Sequence, residues 1–398
     1  MMGFYHHHIA TALKILSGYP GATPFEFYIK KYFSLHKKHG SKDRKIISDI
    51  CYSYFRTALA FKKELNEEIL LNSFFLTHPA GHPLLLQLSP QLNHSAIESV
   101  SEKLNMLHIA PEMLFPFYRL LSPLFQNQDY YCSFLSQPDF FLRIRPGKKT
   151  YVLKKLKEEK LPFLSIHENG IALKNATALR DVFVADKEVV VQDLSSQQVL
   201  DFLDTMPGAN NELKLWDCCA GSGGKSILLF DKLSGNVKIY ASDIRESILK
   251  NLVQRFAAAG IVASQTFVAD LTLPEPSITH GPFDMIVCDV PCTGSGTWAR
   301  TPEQLVYFTI NQLQEYRQKQ QKILANAVSF LKENGILFYI TCSVFTAENE
   351  EVVQWAQSQF KIALIHQQAI PGYLQNADNM FVAVFKKKSP YGFMQHYA

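Results

Sequence analysis

Residues 213–226 read LKLWDCCAGSGGKS, and this stretch decides the fold. An apolar run that fits a buried strand passes into a loop of small residues, and a helical pattern follows at once. Small residues let the backbone turn sharply and approach a ligand, while the N-terminus of the next helix favours negative charge. The stretch therefore predicts a strand, a ligand-binding loop and a helix of an α/β fold. Its candidate cofactor-binding residues are Cys219, Ala220, Gly221, Ser222, Gly223, Gly224 and Lys225.

Three kinds of ligand compete for a loop of this type. A nucleoside-triphosphate P-loop requires glycine five residues before Gly224, where the chain has Cys219. A dinucleotide loop that starts at Gly221 requires its third glycine where the chain has Ser226. Both patterns fail at one position each, so the strands that follow have to decide between them and S-adenosylmethionine.

Strand and helix patterns alternate along the chain from Leu213 onwards. Continuous apolar strands with helical crossovers are typical of a parallel sheet covered on both faces, so we predict a Rossmann-like α/β domain. Ligands bind at the carboxyl ends of the strands in such folds, and each strand pattern here ends in a polar residue. The patterns are LKLWD, VKIYASD, SQTFVAD, FDMIVCD and GILFYIT.

Aspartates end the first three of these strand patterns, at Asp217, Asp243 and Asp270. Asp243 lies 20 residues after Gly223, the position from which a carboxylate accepts hydrogen bonds from ribose hydroxyls. We expect Asp270 within reach of an adenine edge. Each aspartate alone would also fit a helix N-cap. Their series suits a nucleoside without phosphates, because a polyphosphate would be repelled, and therefore favours S-adenosylmethionine.

The next two strand patterns run into cysteine-containing motifs. DVPCTGSGTWAR follows the fourth strand and TCSVFTAENEE the fifth, so Cys292 and Cys342 are expected beside the cofactor. A buried, inert cysteine is the usual alternative. Two of them flanking one cleft, in Thr-, Ser- and Gly-rich surroundings, argue against that alternative. We predict Thr346 as the cap of the following helix, with Glu348, Glu350 and Glu351 in its first turn.

Cysteine usage and apolar patterning limit the class of protein. Seven cysteines are an odd number, which fits unpaired thiols in a reducing compartment better than a disulfide framework. The five cysteines from Cys218 onwards form no C-x-x-C pair, so zinc is the weaker alternative and we expect no metal. No apolar stretch is long enough to span a membrane, and no signal-peptide pattern is present. The prediction is a monomeric cytoplasmic protein without a membrane partner.

The part of the chain before the Rossmann-like pattern has a different organisation. Apolar residues recur at helical spacing up to about Leu135, and short alternating runs with a basic amphipathic helix, YVLKKLKEEK, come next. We predict a helical domain at residues 1–135, a small α/β connector at 136–205 and the catalytic domain at 206–398.

Basic residues are concentrated in two segments. Residues 1–64 carry 11 Lys and Arg against 4 Asp and Glu, and residues 143–160 carry 8 against 2. This excess suits contact with the phosphate backbone of RNA. Two solvated helix faces that happen to be basic are the alternative.

By these motifs and their order, residues 190–385 resemble the Sun family of RNA 5-methylcytosine methyltransferases. The family's glycine loop commonly reads Cys-Ala-Ala-Pro-Gly-Gly-Lys, whereas this chain has Gly221 and Ser222 at the third and fourth positions. It also has Asn379 and Met380 where relatives tend to have Gly-Phe. The motifs that carry the resemblance are VVVQDLSSQ, DCCAGSGGKS, DVPCTGSGTWAR, TCSVFTAENE and MFVAVFKK.

The resemblance implies methylation of cytosine C5 in RNA with S-adenosylmethionine as cofactor. It makes Cys342 the nucleophile that attacks the base and gives Cys292 the release of the product. Asp289 would hydrogen-bond the base beside the cofactor, and Lys225 would orient groups in the same pocket. Since the base must enter that pocket, a single-stranded or flipped cytosine is required.

The N-terminal segment HGSKDRKIISDICYSYFR more weakly resembles the all-α NusB-like RNA-binding domain that precedes this catalytic domain in some members. The expected substrate is therefore small-subunit ribosomal RNA, with tRNA or another RNA as the alternative. Two hypotheses from other classes remain open at this point: a P-loop ATPase, and a non-catalytic RNA-binding assembly factor on a degenerate methyltransferase fold.

Overall fold

A computed structural model describes residues 4–175, 177, 179, 181–206, 212–274 and 276–389. The chain divides into two compact units. The first unit comprises the residues up to Gln137 together with Thr297–Thr309. The second comprises Pro138–Gly296 and the residues from Ile310 onwards.

The helices and strands of the described residues are given in chain order. The helices are α1 (Phe4–Ser17), α2 (Phe25–Leu35), α3 (Ser41–Thr57), α4 (Glu67–Thr77), α5 (Pro83–Leu88), α6 (Pro90–His94), α7 (Val100–Met106), α8 (Gln128–Ser133), α9 (Lys149–Glu158), α10 (Leu194–Gln198), α11 (Gly224–Lys232), α12 (Glu246–Ala259), α13 (Pro302–Tyr307), α14 (Ile310–Ser329) and α15 (Glu350–Gln359). The strands are β1 (Phe140–Ile144), β2 (Phe163–Ser165), β3 (Gly170–Leu173), β4 (Val189–Val191), β5 (Leu213–Asp217), β6 (Val237–Asp243), β7 (Gln265–Val268), β8 (Phe283–Asp289), β9 (Leu331–Thr341), β10 (Ile362–Ile370) and β11 (Met380–Lys387).

The first unit is built from helices around an apolar core, which confirms the helical pattern predicted for the N-terminal region. In α3, the side chains of Ile47, Ile50 and Tyr54 are buried at the spacing that places residues on one helix face. This helix packs against α1 and α4. Burial of that face is what stabilises a helix of this length.

The segment Thr297–Thr309 packs into the helical core, although its first four residues belong to the motif DVPCTGSGTWAR that begins at the end of β8. Val306 belongs to the same apolar cluster as the buried face of α3. Trp298 is almost fully buried. The Glu303 carboxylate accepts a hydrogen bond from the backbone N–H of Phe25 at 3.1 Å. The chain therefore leaves the second unit after Gly296, adds α13 to the first, and returns at the start of α14.

A seven-stranded sheet in the described residues forms the centre of the second unit, in the order β10-β11-β9-β8-β5-β6-β7. The five strands from β9 to β7 are parallel, which confirms the predicted Rossmann-like α/β fold. At one edge the sheet also contains two strands that the sequence patterns did not include, β10 and β11, and β11 is antiparallel to both β9 and β10. Only residues 371–379 join β10 to β11, and a parallel pair would need a longer crossover.

The predicted connector contains a four-stranded antiparallel sheet, in the order β2-β3-β1-β4. Arg143 on β1 and Arg145 directly after it are 4% and 7% exposed, and both form ion pairs with Asp231 of α11. These two arginines therefore add nothing to the exposed basic charge of residues 143–160. Exposed cations of this segment, such as Lys149 and Lys157, lie on α9.

Membrane insertion finds no support in the helices. Among the described residues, no helix combines the length and the apolar character needed to cross a lipid bilayer.

Candidate active site

A cavity of about 680 Å³ lies at the carboxyl ends of β5, β6, β8 and β9, the edge at which the sequence predicted the site. Its volume lies in the range of small-molecule binding sites. The structure therefore brings strand-end carboxylates and both motif cysteines to a single cavity. The predicted residues in its wall are Cys219, Gly221, Asp243, Asp270, Asp289, Cys292 and Cys342.

The glycine loop takes a backbone path that requires glycine at Gly223. This residue has a φ of +85°, and a Cβ atom there would lie 2.8 Å from Cε1 of Phe256. The backbone N–H of Gly221 donates to the Asp243 carboxylate at 3.0 Å, so the loop is fixed to the end of β6. Ala220 does not face the cavity, because it packs in the apolar core of the second unit.

Ser222 is one of the two loop positions at which this chain departs from the family it resembles, and it is held by a side chain of α12. Arg255 donates from Nη1 to the carbonyl oxygen and to the hydroxyl of Ser222, at 3.0 and 2.9 Å. The same guanidinium forms an ion pair with Asp186 at 2.7 Å. Arg255 therefore fixes Ser222 in the turn, and α11 begins two residues later at Gly224.

Asp243 accepts four hydrogen bonds at the floor of the cavity. The donors are the backbone N–H groups of Gly221 and Arg245 and two guanidinium nitrogens of Arg245, at 2.9 to 3.3 Å. Burial acts to raise the pKa of Asp243, but these hydrogen bonds outweigh it and hold the pKa below its usual range. Asp243 is consequently ionised at neutral pH.

Asp270 lies in the cavity wall, but it does not end a strand as predicted. β7 ends at Val268, and Asp270 follows in the next loop, where its Oδ1 accepts from the backbone and the hydroxyl of Thr272 at 2.9 and 2.6 Å. These bonds fix the carboxylate as in a local turn. The displacement by two residues leaves Asp270 in the wall.

Asp217, the first carboxylate of the predicted series, is buried beneath the loop. Its side chain is 1% exposed and accepts a hydrogen bond from the Ser226 hydroxyl at 2.5 Å. Burial raises the pKa of Asp217 to about 7. The role of Asp217 is therefore to support the start of α11, and the expectation that it faces a ligand beside Asp243 and Asp270 is wrong.

The raised pKa of Asp217 predicts a dependence of stability on pH. Because this pKa lies above that of an unfolded aspartate, folding takes up a proton between about pH 4 and 7, and the free energy of unfolding falls as pH rises through that window. Asp217→Asn removes the titration and still offers an acceptor to Ser226. In urea titrations, we expect the variant to gain stability relative to the wild type across this window, by up to about 4 kcal/mol above pH 7. A difference that does not change with pH would contradict the assignment.

The two motif cysteines meet at the cavity because they follow neighbouring parallel strands. The sulfur atoms of Cys292 and Cys342 lie 3.3 Å apart, and both residues are free thiols. That distance fits a thiol hydrogen bond and exceeds a disulfide bond of about 2 Å. The hydrogen bond with Cys342, together with burial, raises the pKa of Cys292 well above its usual value.

A buried carboxylate, that of Glu348, joins the two cysteine loops. Its Oε2 accepts from the hydroxyls of Thr293 and Ser343 at 2.6 and 2.5 Å. Its Oε1 accepts from the backbone N–H of Thr293 at 2.9 Å and from the side-chain amide of Gln320 at 2.8 Å. Thr293 and Ser343 each follow one of the cysteines directly in the chain, so this carboxylate fixes the distance between the two sulfurs.

The predicted helix cap at Thr346 is wrong. Thr346–Glu348 form a 3₁₀ turn, and α15 begins only at Glu350, with Asn349 in the N-cap position. The chain interrupts the helix because Glu348 is used in the core, where four donors satisfy it.

Lys225 and Asp289 form an ion pair of 2.6 Å at the edge of the cavity. Burial lowers the pKa of Lys225, but the Asp289 carboxylate more than offsets this, and the pKa is raised. A P-loop requires its lysine to meet phosphate oxygens. Here the lysine is neutralised by a carboxylate in a wall that also holds Asp243 and Asp270, which disfavours a polyphosphate ligand.

Sequence reasoning missed the face that α14 contributes to the cavity. Tyr316, Lys319 and Ile323 line it and share one side of the helix through their i, i+3 and i+7 spacing. The spacing could be read from the sequence. The sequence did not show that this side of α14 faces the cavity, because that depends on how the connection between β8 and β9 packs. Within the described residues, no group of three or more His, Cys, Asp or Glu side chains is placed to hold a metal ion.

The five parallel strands, the glycine loop and the cavity at the strand ends define a Rossmann-like α/β domain. Residues 205–386 match the model of the family described as 16S rRNA methyltransferase RsmB/F. The match covers 182 of the 398 residues, slightly less than half of the chain.

The names of similar proteins refer to two kinds of RNA, tRNA and ribosomal RNA. The tRNA (cytosine(72)-C(5))-methyltransferase NSUN6 of Mus musculus is 32% identical over 183 residues, which are 43% of this chain and 37% of that protein. The ribosomal RNA small subunit methyltransferase B of Xylella fastidiosa strain Temecula1 is 32% identical over 163 residues, which are 41% of this chain and 36% of that protein. The chain thus matches less than half the length of these relatives.

Solved structures share the fold. A crystal structure of PH0851 has a TM-score of 0.70 and 17% identity, and the match covers 96% of this chain and 98% of that chain. The crystal structure of NSun6 from Pyrococcus horikoshii with SFG has a TM-score of 0.59 and 15% identity, and the match covers 69% of this chain and 97% of that chain.

Proposed function

We propose that the protein is an S-adenosylmethionine-dependent methyltransferase that modifies cytosine C5 in RNA through a covalent bond between Cys342 and C6 of the base. The observation that carries the proposal is the 3.3 Å separation of the Cys292 and Cys342 sulfurs in a cavity that also contains Asp243 and Asp270. The match of residues 205–386 to the family model reported above supports it.

The cavity suits a nucleoside cofactor that carries no phosphate. Asp243 is ionised and fixed at the end of β6. At this position it would accept hydrogen bonds from the ribose hydroxyls. Asp270 is held in the next loop, beside the expected position of the adenine. S-adenosylmethionine would supply the activated methyl group. The glycine loop, on the β5 side of Asp243, lets the backbone approach such a ligand closely.

Cys342 prepares the base for methylation. Cytosine C5 is a weak nucleophile, so the ring first has to become electron-rich. The thiolate of Cys342 forms a bond to C6 and moves an electron pair towards C5. Asp289 hydrogen-bonds the N3/N4 edge of the base, and the adjacent Lys225 ammonium offsets the charge that develops on the ring.

Cys292 acts in the release of the product. After C5 has received the methyl group, its proton must leave, and the electron pair of that C–H bond expels the Cys342 thiolate from C6. The sulfur of Cys292 lies 3.3 Å from the Cys342 sulfur, where it can assist this step. Its raised pKa keeps Cys292 a thiol at neutral pH, so it can donate a hydrogen bond to the Cys342 thiolate as that group leaves C6, while the C5 proton passes to water.

The substrate proposal is RNA with an unpaired or flipped cytosine, because the base has to reach the cysteines inside the cavity. Small-subunit ribosomal RNA is the first candidate and tRNA the second, since the relatives carry both names. We assign RNA affinity to the helical first unit, on the excess of Lys and Arg in residues 1–64.

Substituting each cysteine tests the covalent mechanism. Cys342→Ala should abolish methyl transfer to small-subunit ribosomal RNA, because no other group can activate C5. Cys292→Ala should form the bond to RNA but release it slowly, so that a protein–RNA adduct accumulates on denaturing gels. Transfer of a labelled methyl group, measured in parallel on tRNA, identifies the preferred RNA.

Cys132→Ala is the matched control, since Cys132 is a free cysteine of the first unit. It should keep wild-type transfer and trap no adduct. Normal transfer by Cys342→Ala would contradict the mechanism, and a wild type that methylates no RNA would favour a non-catalytic assembly factor.

Asp243→Asn tests the cofactor site. Loss of the charge should weaken S-adenosylmethionine binding by about 10- to 100-fold in calorimetry, as expected for hydrogen bonds to a charged group. Asp284→Asn is the matched control, because Asp284 lies at the opposite end of β8 and pairs with Lys332. The wild type should bind no ATP. Binding of ATP in preference to S-adenosylmethionine would support the ATPase hypothesis instead.

A further inference from the structure

Two α14 side chains in the cavity wall take no part in the mechanism above. Tyr316 is half-buried and Lys319 is exposed, and both line the cavity that contains Cys292 and Cys342. The Lys319 ammonium lies 5.2 Å from the centroid of the Tyr316 ring. The wall therefore presents an aromatic ring with a cation over it.

The position of this pair is fixed relative to the cysteine loops. Gln320, on the next turn of α14, donates to the backbone carbonyl of Pro291 at 3.1 Å and to the Glu348 carboxylate at 2.8 Å. Pro291 directly precedes Cys292, and Glu348 joins both cysteine loops. Tyr316 is accordingly held near the reacting sulfurs by the same buried network that sets their separation.

Electrostatics support this proximity. Burial raises the pKa of Tyr316, and the neighbouring Cys292, Glu348 and Cys342 raise it further. The phenol is therefore neutral throughout the neutral pH range, and its ring offers an uncharged face to a ligand.

A half-buried aromatic ring beside a cation matches the chemistry of a single nucleotide. Bases that leave a helix stack on aromatic side chains, and the attached phosphate is attracted to lysine. The carboxylates of Asp243 and Asp270 offer the opposite charge, which suits the hydroxyl and amine donors of the cofactor and would repel a phosphate.

We propose that Tyr316 and Lys319 receive the target nucleotide: the exposed Lys319 side chain moves from the Tyr316 ring to the phosphate, and the ring stacks on the cytosine that faces Cys342. This inference rests on the proposed function and deepens it, because it names the residues that recognise the substrate rather than the cofactor. Both residues are specificity determinants and take no part in bond making.

The test separates RNA recognition from cofactor binding and from chemistry. For Tyr316→Ala, the KM for in-vitro transcribed small-subunit ribosomal RNA should rise roughly tenfold or more, the loss expected for one stacked base. Tyr316→Phe keeps the ring and should stay near the wild type. The dissociation constant for S-adenosylmethionine, measured by calorimetry, should change in neither variant.

Lys319→Ala should reduce the salt dependence of RNA binding, with a change in the slope of about 0.7 for one lost phosphate contact. Lys322→Ala is the matched control, because Lys322 is an exposed lysine of the same helix. An unchanged KM for Tyr316→Ala, or weakened S-adenosylmethionine binding with unchanged KM for RNA, would overturn the inference while leaving wild-type methylation intact. Failure of the wild type to methylate any RNA would instead overturn the proposed function and this inference with it.

Discussion

The buried Glu348 carboxylate is the constraint on which the arrangement of the site depends. It is fully buried, and its two oxygens accept four hydrogen bonds from the two cysteine loops and from α14. Burial raises the pKa of Glu348, so without these donors the group would be costly in the core. The network converts two separate strand-end loops into one rigid support for the Cys292 and Cys342 sulfurs.

The charges around the cavity divide its wall by function. Asp243 is ionised and faces the cavity, whereas Asp217, one strand away, is buried and has its pKa raised to about 7. Lys225 neutralises Asp289 on the side nearest the cysteines. A cationic methyl donor and a neutral base can thus lie in adjacent parts of one cavity. The negative charge next to the glycine loop also distinguishes this site from phosphate-binding loops with a similar sequence.

Much of the second unit could be predicted from the sequence, because its signals are local. Five apolar strands with helical crossovers predict a parallel sheet, and the residues after its strands meet at one edge, as Asp243 and Cys342 do. The antiparallel pairing of β11 with β9 and β10 was missed because a short apolar run does not specify the direction in which a strand pairs.

Other features depended on tertiary packing. The buried role of Glu348, the cavity face of α14 and the insertion of Thr297–Thr309 into the helical unit follow from contacts with residues far away in the chain. The specific roles of the cysteines came from family resemblance, and the structure adds the 3.3 Å separation that makes them a pair. The assignment of Cys342 as the nucleophile is tested most directly by reaction with RNA that contains 5-fluorocytosine, followed by peptide mapping by mass spectrometry. Since fluorine cannot leave C5 as a proton does, the adduct should remain on the peptide that carries Cys342, and attachment to Cys292 or to no cysteine would contradict the account.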